Sequence, residues 1–269
     1  CVFLALSLGS VLIQGLNFGI DFLGGTSIRT QSTQDVDVGA YRDALSTLDL
    51  GDVSISQVFD PNFAQDQHVA MIRIQQQTGD DVSINAVTNE TLAALQTIDP
   101  DLVFVSVESV GPKVSGELVQ TAIIAVVLAI AAVLVYIWLR FEWQFALGAV
   151  SALIHDIILT VGIFSVLQIK FDLAIIAALL TIVGYSLNDT VVVFDRIREF
   201  LKEHSTWEFE KTVNSALNST LSRTLNTSFT TLVVLLAMFT FGADSLRGLL
   251  FALIVGVLVG TYSSVFVAT

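Results

Sequence analysis

Cysteine is almost missing from this sequence: Cys1 is the only one among 269 residues, which excludes an intrachain disulfide or a cysteine-based metal site. A lipid-modified Cys1 would be expected to lead into a polar tether, and VFLALSLGSVLI follows instead. Charge is also scarce. Only 14% of residues are charged against 54% hydrophobic, with a mean hydropathy of +0.76, a combination foreign to ordinary soluble domains and expected of an integral membrane protein. The chain carries no glycine-rich phosphate loop ending in Gly-Lys-Ser/Thr, no HExxH and no GxSxG. No enzymatic activity or cofactor is therefore expected, and an ion gradient is a better energy source than ATP hydrolysis. There is neither an initiator Met nor a basic leader-like segment before the first apolar run, so that run reads as trimmed at its start, and Thr269 ends another run abruptly.

The apolar residues are clustered. A first run covers 1–18, and five more are placed at 118–139, 145–167, 173–194, 221–241 and 246–268. Each of these five is long enough to cross a hydrocarbon core that takes about 20 residues of helix. The expectation is a polytopic α-helical membrane protein with six transmembrane helices: helix 1 over 1–18, a polar domain over 19–116, and a five-helix bundle over 117–269. Within the bundle, the segment 195–220 is polar with scattered apolar residues, the pattern of an amphipathic helix lying along the inner surface.

Between the first two spans, hydrophobic periodicity alternates. Residues 26–30 read as a strand, 36–48 as a helix, 53–58 and 69–74 as strands, 82–98 as a helix and 102–107 as a strand. That order is the βαββαβ pattern of a ferredoxin-like α+β domain. Gly24 and Gly25 mark the exit from the membrane, and Gly111 with Pro112 the loop that returns to it. Residues 27–110 hold 13 acidic residues against Arg29, Arg42 and Arg73, a net charge of −10, which argues against a nucleic-acid or anionic-lipid partner for this block. A solvated acidic surface accounts for it.

Loop cations give the orientation. With the N-terminus inside, the inner loops hold Arg140, Arg196, Arg198, Lys202, Lys211 and Arg223, and the outer loops only Lys113, Lys170 and Arg247. Both termini are thus expected in the cytoplasm and the polar domain in the periplasm or its equivalent.

Inside the 173–194 run lie Asn188, Asp189 and Thr190. An aspartate at the centre of a membrane helix costs about 2.5 kcal/mol or more, so such a residue normally faces protein or water and has a task. Asp189 is the candidate carrier of a coupling ion, with Tyr185, Ser186 and Asn188 forming a polar stripe beside it. A static carboxylate that only packs helices is the alternative. Arg223 opens the next span and lies at the same depth, where pairing would lower the carboxylate pKa and separation would raise it; a snorkelling anchor is its other reading. Thr224, Asn226, Thr227, Thr230 and Thr231 follow on that helix, as the lining of a hydrated path or as ordinary small polar contacts. His155 and Asp156 stand adjacent in the middle of the 145–167 run, either as a proton relay or as a static hydrogen-bonded pair.

Six stretches together resemble one family: GIDFLGGT (19–26), VGPKVSGEL (110–118), RFEWQFALGAVSALIHD (140–156), VGYSLNDTVVVFDRIRE (183–199), SRTLNTSFTT (222–231) and GTYSSVFVA (260–268). They are similar, in order and spacing, to the SecF side of the SecD/SecF protein-export family of the resistance-nodulation-division superfamily. The resemblance implies an inner-membrane subunit that pairs with SecD and works with the SecYEG translocon, YajC and YidC on a translocating preprotein. It also implies use of the proton or sodium gradient, with Asp189 and Arg223 matching the family's ion-pathway residues. The superfamily relation leaves an exporter half for lipids or small molecules as an alternative, and a non-transporting scaffold as another. The partners expected are thus proteins and membrane lipid, not nucleic acid.

Overall fold

The computed structural model describes residues 2–48, 50, 53–58, 68–74, 84–110, 112–204, 206–242 and 246–269. The expectations for Cys1 and Gly111 fall outside those residues. The chain divides into two compact units, one of residues 1–17 with 122–269 and the other of residues 18–121.

The polar unit follows the order α2 (Ile20–Leu23), β1 (Gly25–Ser32), α3 (Val38–Ser46), β2 (Val53–Val58), β3 (His68–Ile74), α4 (Ile84–Gln96) and β4 (Val103–Val110). The four strands form one sheet in the order β2-β3-β1-β4, with every neighbouring pair antiparallel. Register places Ile28 opposite Ile72, and Ile72 opposite Ile55, so a row of isoleucines crosses three strands. Tyr41 and Leu45 of α3 and Leu95 of α4 cover that row and complete a buried core. Asp37 starts α3 by accepting hydrogen bonds from the backbone N–H of Gly39 (2.9 Å) and Ala40 (3.0 Å), satisfying donors a helix start leaves open. Near the start of the unit, Gly24 and Gly25 have φ of 73° and 119°, conformations that side chains disfavour and glycine accepts.

In the apolar unit, α1 (Val2–Ile13) precedes α6 (Trp143–Leu167), α7 (Leu173–Glu203), α8 (Phe209–Phe241) and α9 (Arg247–Phe266), with α5 (Pro112–Arg140) joining the series. Five of these helices, α5 to α9, are long and apolar enough to cross a membrane. The expected first span is shorter than anticipated. Its helix stops at Ile13, because Gly15 turns the backbone to a φ of 73° and the residues after it leave the helix.

The segment 195–220 also departs from expectation, since it is not a helix of its own. Its first part continues α7 to Glu203 and its last part opens α8 at Phe209. The apolar residues scattered through it explain why. Ile197 and Ala216 are buried, and Phe200, Val213 and Leu217 pack on the same cluster with Ile137 of α5 and Phe194, so the amphipathic pattern belongs to two packed helices.

Lipid tails are as apolar as the helices, so bundle association rests on close packing and hydrogen bonds. Close packing brings α9 onto α7: a Cβ added at Gly256 would overlap the Ile182 side chain, and one at Gly260 would sit 3.3 Å from the Ser186 Cβ. Gly162 on α6 plays the same part toward Ser7 of α1. Around that contact, Ser10 and Ser165 exchange a 2.9 Å hydrogen bond, and the Ser165 hydroxyl also reaches the Gly15 carbonyl at 2.6 Å.

Candidate functional site

Polar residues inside the bundle gather where α7 meets its neighbours. At about 100° per residue, Tyr185, Asp189, Ser186 and Thr190 fall within one stripe of roughly 140°. Asp189, Ser186 and Thr190 are buried and Tyr185 is half-buried. Asn188, expected in the same stripe, lies about 160° from Ser186 by the same spacing and is exposed.

Three separate polar arrangements use this stripe. The first surrounds Asp156 of α6, only 1% exposed. Its Oδ2 accepts hydrogen bonds from Ser186 of α7 and Ser263 of α9, both at 2.7 Å, while Oδ1 lies 3.1 Å from the Nδ1 of His155. Both carboxylate oxygens are therefore engaged, and three helices meet at one side chain. His155 in turn stacks on Tyr262 of α9, with centroids 6.3 Å apart. The second arrangement runs from the Tyr185 hydroxyl to Ser228 of α8 (3.4 Å) and from Ser228 to Thr261 of α9 (2.6 Å).

The third is Asp189 itself. It is 5% exposed, and its Oδ2 is buried with no hydrogen-bond partner. Arg223 of α8 acts on it electrostatically, without a salt bridge between the two. Thr190 is turned away from the carboxylate in its bonding, since its hydroxyl donates to the Ser186 carbonyl at 3.0 Å. On α8, Thr224 is buried and Thr227 half-buried, whereas Asn226 and Thr230 are exposed. The hydroxyls of Thr227, Thr230 and Thr231 all donate to carbonyls of their own helix.

Of the residues singled out in the sequence, His155 and Asp156 thus touch each other, and Asp189 and Arg223 lie near one another. Asn188 joins neither group. Sequence reading did not single out Ser263, Ser228 and Thr261, although all three lie inside quoted stretches. The available signal was Gly256 and Gly260 at a spacing of four in an apolar helix, which marks a face for close helix contact and places Ser263 one turn further along it.

Known proteins were compared with the chain as a whole. The family described as protein export membrane protein SecD/SecF, C-terminal, matches residues 90–269, and the SecD/SecF GG motif matches residues 9–36. The protein translocase subunit SecF of Cereibacter sphaeroides is 58% identical over 98% of this chain and 82% of its own length. That of Rhodobacter capsulatus is 56% identical over 96% and 79%. A crystal structure of SecDF, a translocon-associated membrane protein from Thermus thermophilus, superposes with a TM-score of 0.87 at 35% identity over 99% of this chain. The chain spans about a third (35%) of the length of that protein. The chain belongs to the SecD/SecF family of protein-export membrane proteins.

Proposed function

We propose that this chain is the SecF-type subunit of a protein-export complex, assisting translocation across the cytoplasmic membrane at the expense of the proton or sodium gradient. Asp189 is the carboxyl group that binds and releases the ion, and Arg223 is the charge it engages and leaves. The observation that carries this reading is the contrast between two buried aspartates. Asp156 has both oxygens held, whereas the Asp189 Oδ2 is buried without a partner while a guanidinium acts on it from α8. A buried carboxylate is expensive unless fully paired, and one left partly unpaired is suited to gaining and losing a cation. The same contrast favours a static role for the His155–Asp156 pair over a relay.

Other parts of the reading follow from the family. The polar unit, with its β2-β3-β1-β4 antiparallel sheet and intervening helices, is assigned as a ferredoxin-like domain on the periplasmic side. The segment 1–18 is assigned as a sixth span and both termini as cytoplasmic. SecD is the direct partner, as the fused SecDF relative suggests, with SecYEG, YajC and YidC around them and a translocating preprotein as the load. A membrane potential of about 100 mV supplies roughly 2.3 kcal/mol per charge moved, enough to bias a two-state motion about fiftyfold.

The test is secretion driven by the reconstituted complex under an imposed gradient. Asp189→Asn is expected to abolish the gradient-dependent stimulation while assembly with the partner subunit persists. Undiminished stimulation in that variant would remove Asp189 from the mechanism.

A further inference from the structure

One end of the apolar unit holds a cavity of about 610 Å³ bounded by the last turns of α5 and α7 and an early stretch of α8. Five cations reach it, Arg140, Arg196, Arg198, Lys202 and Arg223, against only two carboxylates, Asp195 and Glu199. Both carboxylates are already used. Asp195 holds Arg140 at 3.3 Å, and Glu199 holds Arg196, whose Nε also donates to Ser219 at 3.0 Å. Among the described residues, Arg198 and Lys202 have no carboxylate partner, and both are exposed.

The depth of this cavity is set by the sequence. On α5 the apolar run ends at Leu139 beside Arg140; on α7 it ends at Phe194 beside Asp195; on α8 it begins at Leu221 beside Thr220. The cations therefore stand where hydrocarbon gives way to headgroups. Next to them in sequence, Trp138 and Leu139 are 59% and 80% exposed, and Leu225 is 52% exposed, so an apolar surface continues from the basic cavity in the direction of the bilayer core.

We infer that this cavity binds the headgroup phosphate of an anionic phospholipid, with Arg198 and Lys202 as its principal cationic contacts and the acyl chains lying along the exposed apolar surface of α5 and α8. A net excess of three positive charges between membrane helices complements a phosphate, and the adjoining apolar strip distinguishes a lipid from a free anion. Arg198 supplies a forked donor and Lys202 a compact one. The inference does not depend on ion transport by Asp189, because lipid retention is read with no gradient present.

The experiment is native mass spectrometry of the full chain released from nanodiscs of equal phosphatidylglycerol and phosphatidylcholine. The wild-type chain is expected to retain phosphatidylglycerol over phosphatidylcholine. Arg198→Gln with Lys202→Gln should lower that preference about twenty-fivefold, at a gain of roughly fivefold in affinity per interfacial cation. The charge-conserving pair Arg198→Lys with Lys202→Arg should keep it, as should Lys170→Gln in the loop between α6 and α7. Equal retention of the two lipids by the wild type overturns the inference, as does loss of preference in the Lys170→Gln control. Inorganic phosphate added at millimolar concentration should leave the bound lipid in place; its displacement of the lipid would mark a free-anion site instead.

Discussion

Asp156 and Asp189 sit in the same bundle and are both almost fully buried, yet their surroundings differ. Three side chains close on Asp156, so Ser263→Ala should lower the stability of the bundle by about 1 kcal/mol, within the range of interhelical hydrogen bonds in membranes, and leave gradient-dependent stimulation intact. Steric-trap or denaturant unfolding in detergent measures the first and the secretion assay the second. Asp189 calls for the reverse outcome. Exchanging the pair, Asp189→Arg with Arg223→Asp, preserves the attraction but moves the carboxyl to another helix; stimulation is expected to be lost, while a static scaffold would tolerate the exchange. At this scale the sequence singled out Asp189, Arg223, His155 and Asp156, because an ionisable residue in an apolar run stands out. Ser263 and Ser228 did not stand out, since a serine in a membrane helix serves contacts and caps equally well and only the partner helix decides between them. In the polar unit, Tyr41 gives a further test. Burial, aided by the charge of Asp99, raises its phenol above the ordinary 10.0, so the folded state holds this proton more tightly than the unfolded one. The associated stability is complete below about pH 10 and falls as pH rises through the native value. Tyr41→Phe should flatten that alkaline loss, as read by denaturant unfolding across the same pH range.

Elements were easier to read than residues where periodicity was unbroken. The helices α5 to α9 and the order of the strands followed from apolar runs and alternation. The ends of elements did not. Gly15 stops α1 at Ile13, and no apolar count could announce the positive φ that does so. The extension of α7 to Glu203 was hidden because its polar outer face resembles that of a helix on a membrane surface, and only the burial of Ile197 against Ile137 and Ala216 distinguishes the two. In β4, Val103, Val105 and Val107 alternate as a strand should but stand 55%, 51% and 39% exposed, since alternation tells that two faces differ and not which one helices cover. The contact of α9 against α7 depends on missing side chains. Gly260→Leu would drive α9 from Ser186 and strain the bonds to Asp156; overpacking of this kind costs about 1–3 kcal/mol. A lower unfolding temperature of the purified chain and a weakened complex are the expected readouts, with Gly9→Leu, which has open space around it, as the tolerated comparison.

For the molecule as a whole, family membership and the number of apolar helices leave the source of energy as the open physical point. A bundle that merely held export partners together would have no reason to bury a carboxylate oxygen without a hydrogen-bond partner, at the cost estimated for a membrane aspartate. An ion-driven machine does. The most direct measurement is ion flux into proteoliposomes containing this chain with its SecD partner, taken separately under a proton and a sodium gradient, for wild type and Asp189→Asn. The account predicts flux of one of the two ions through the wild-type complex and none through the variant. Equal flux through both, or no flux of either ion through a wild-type complex that stimulates secretion, would contradict it.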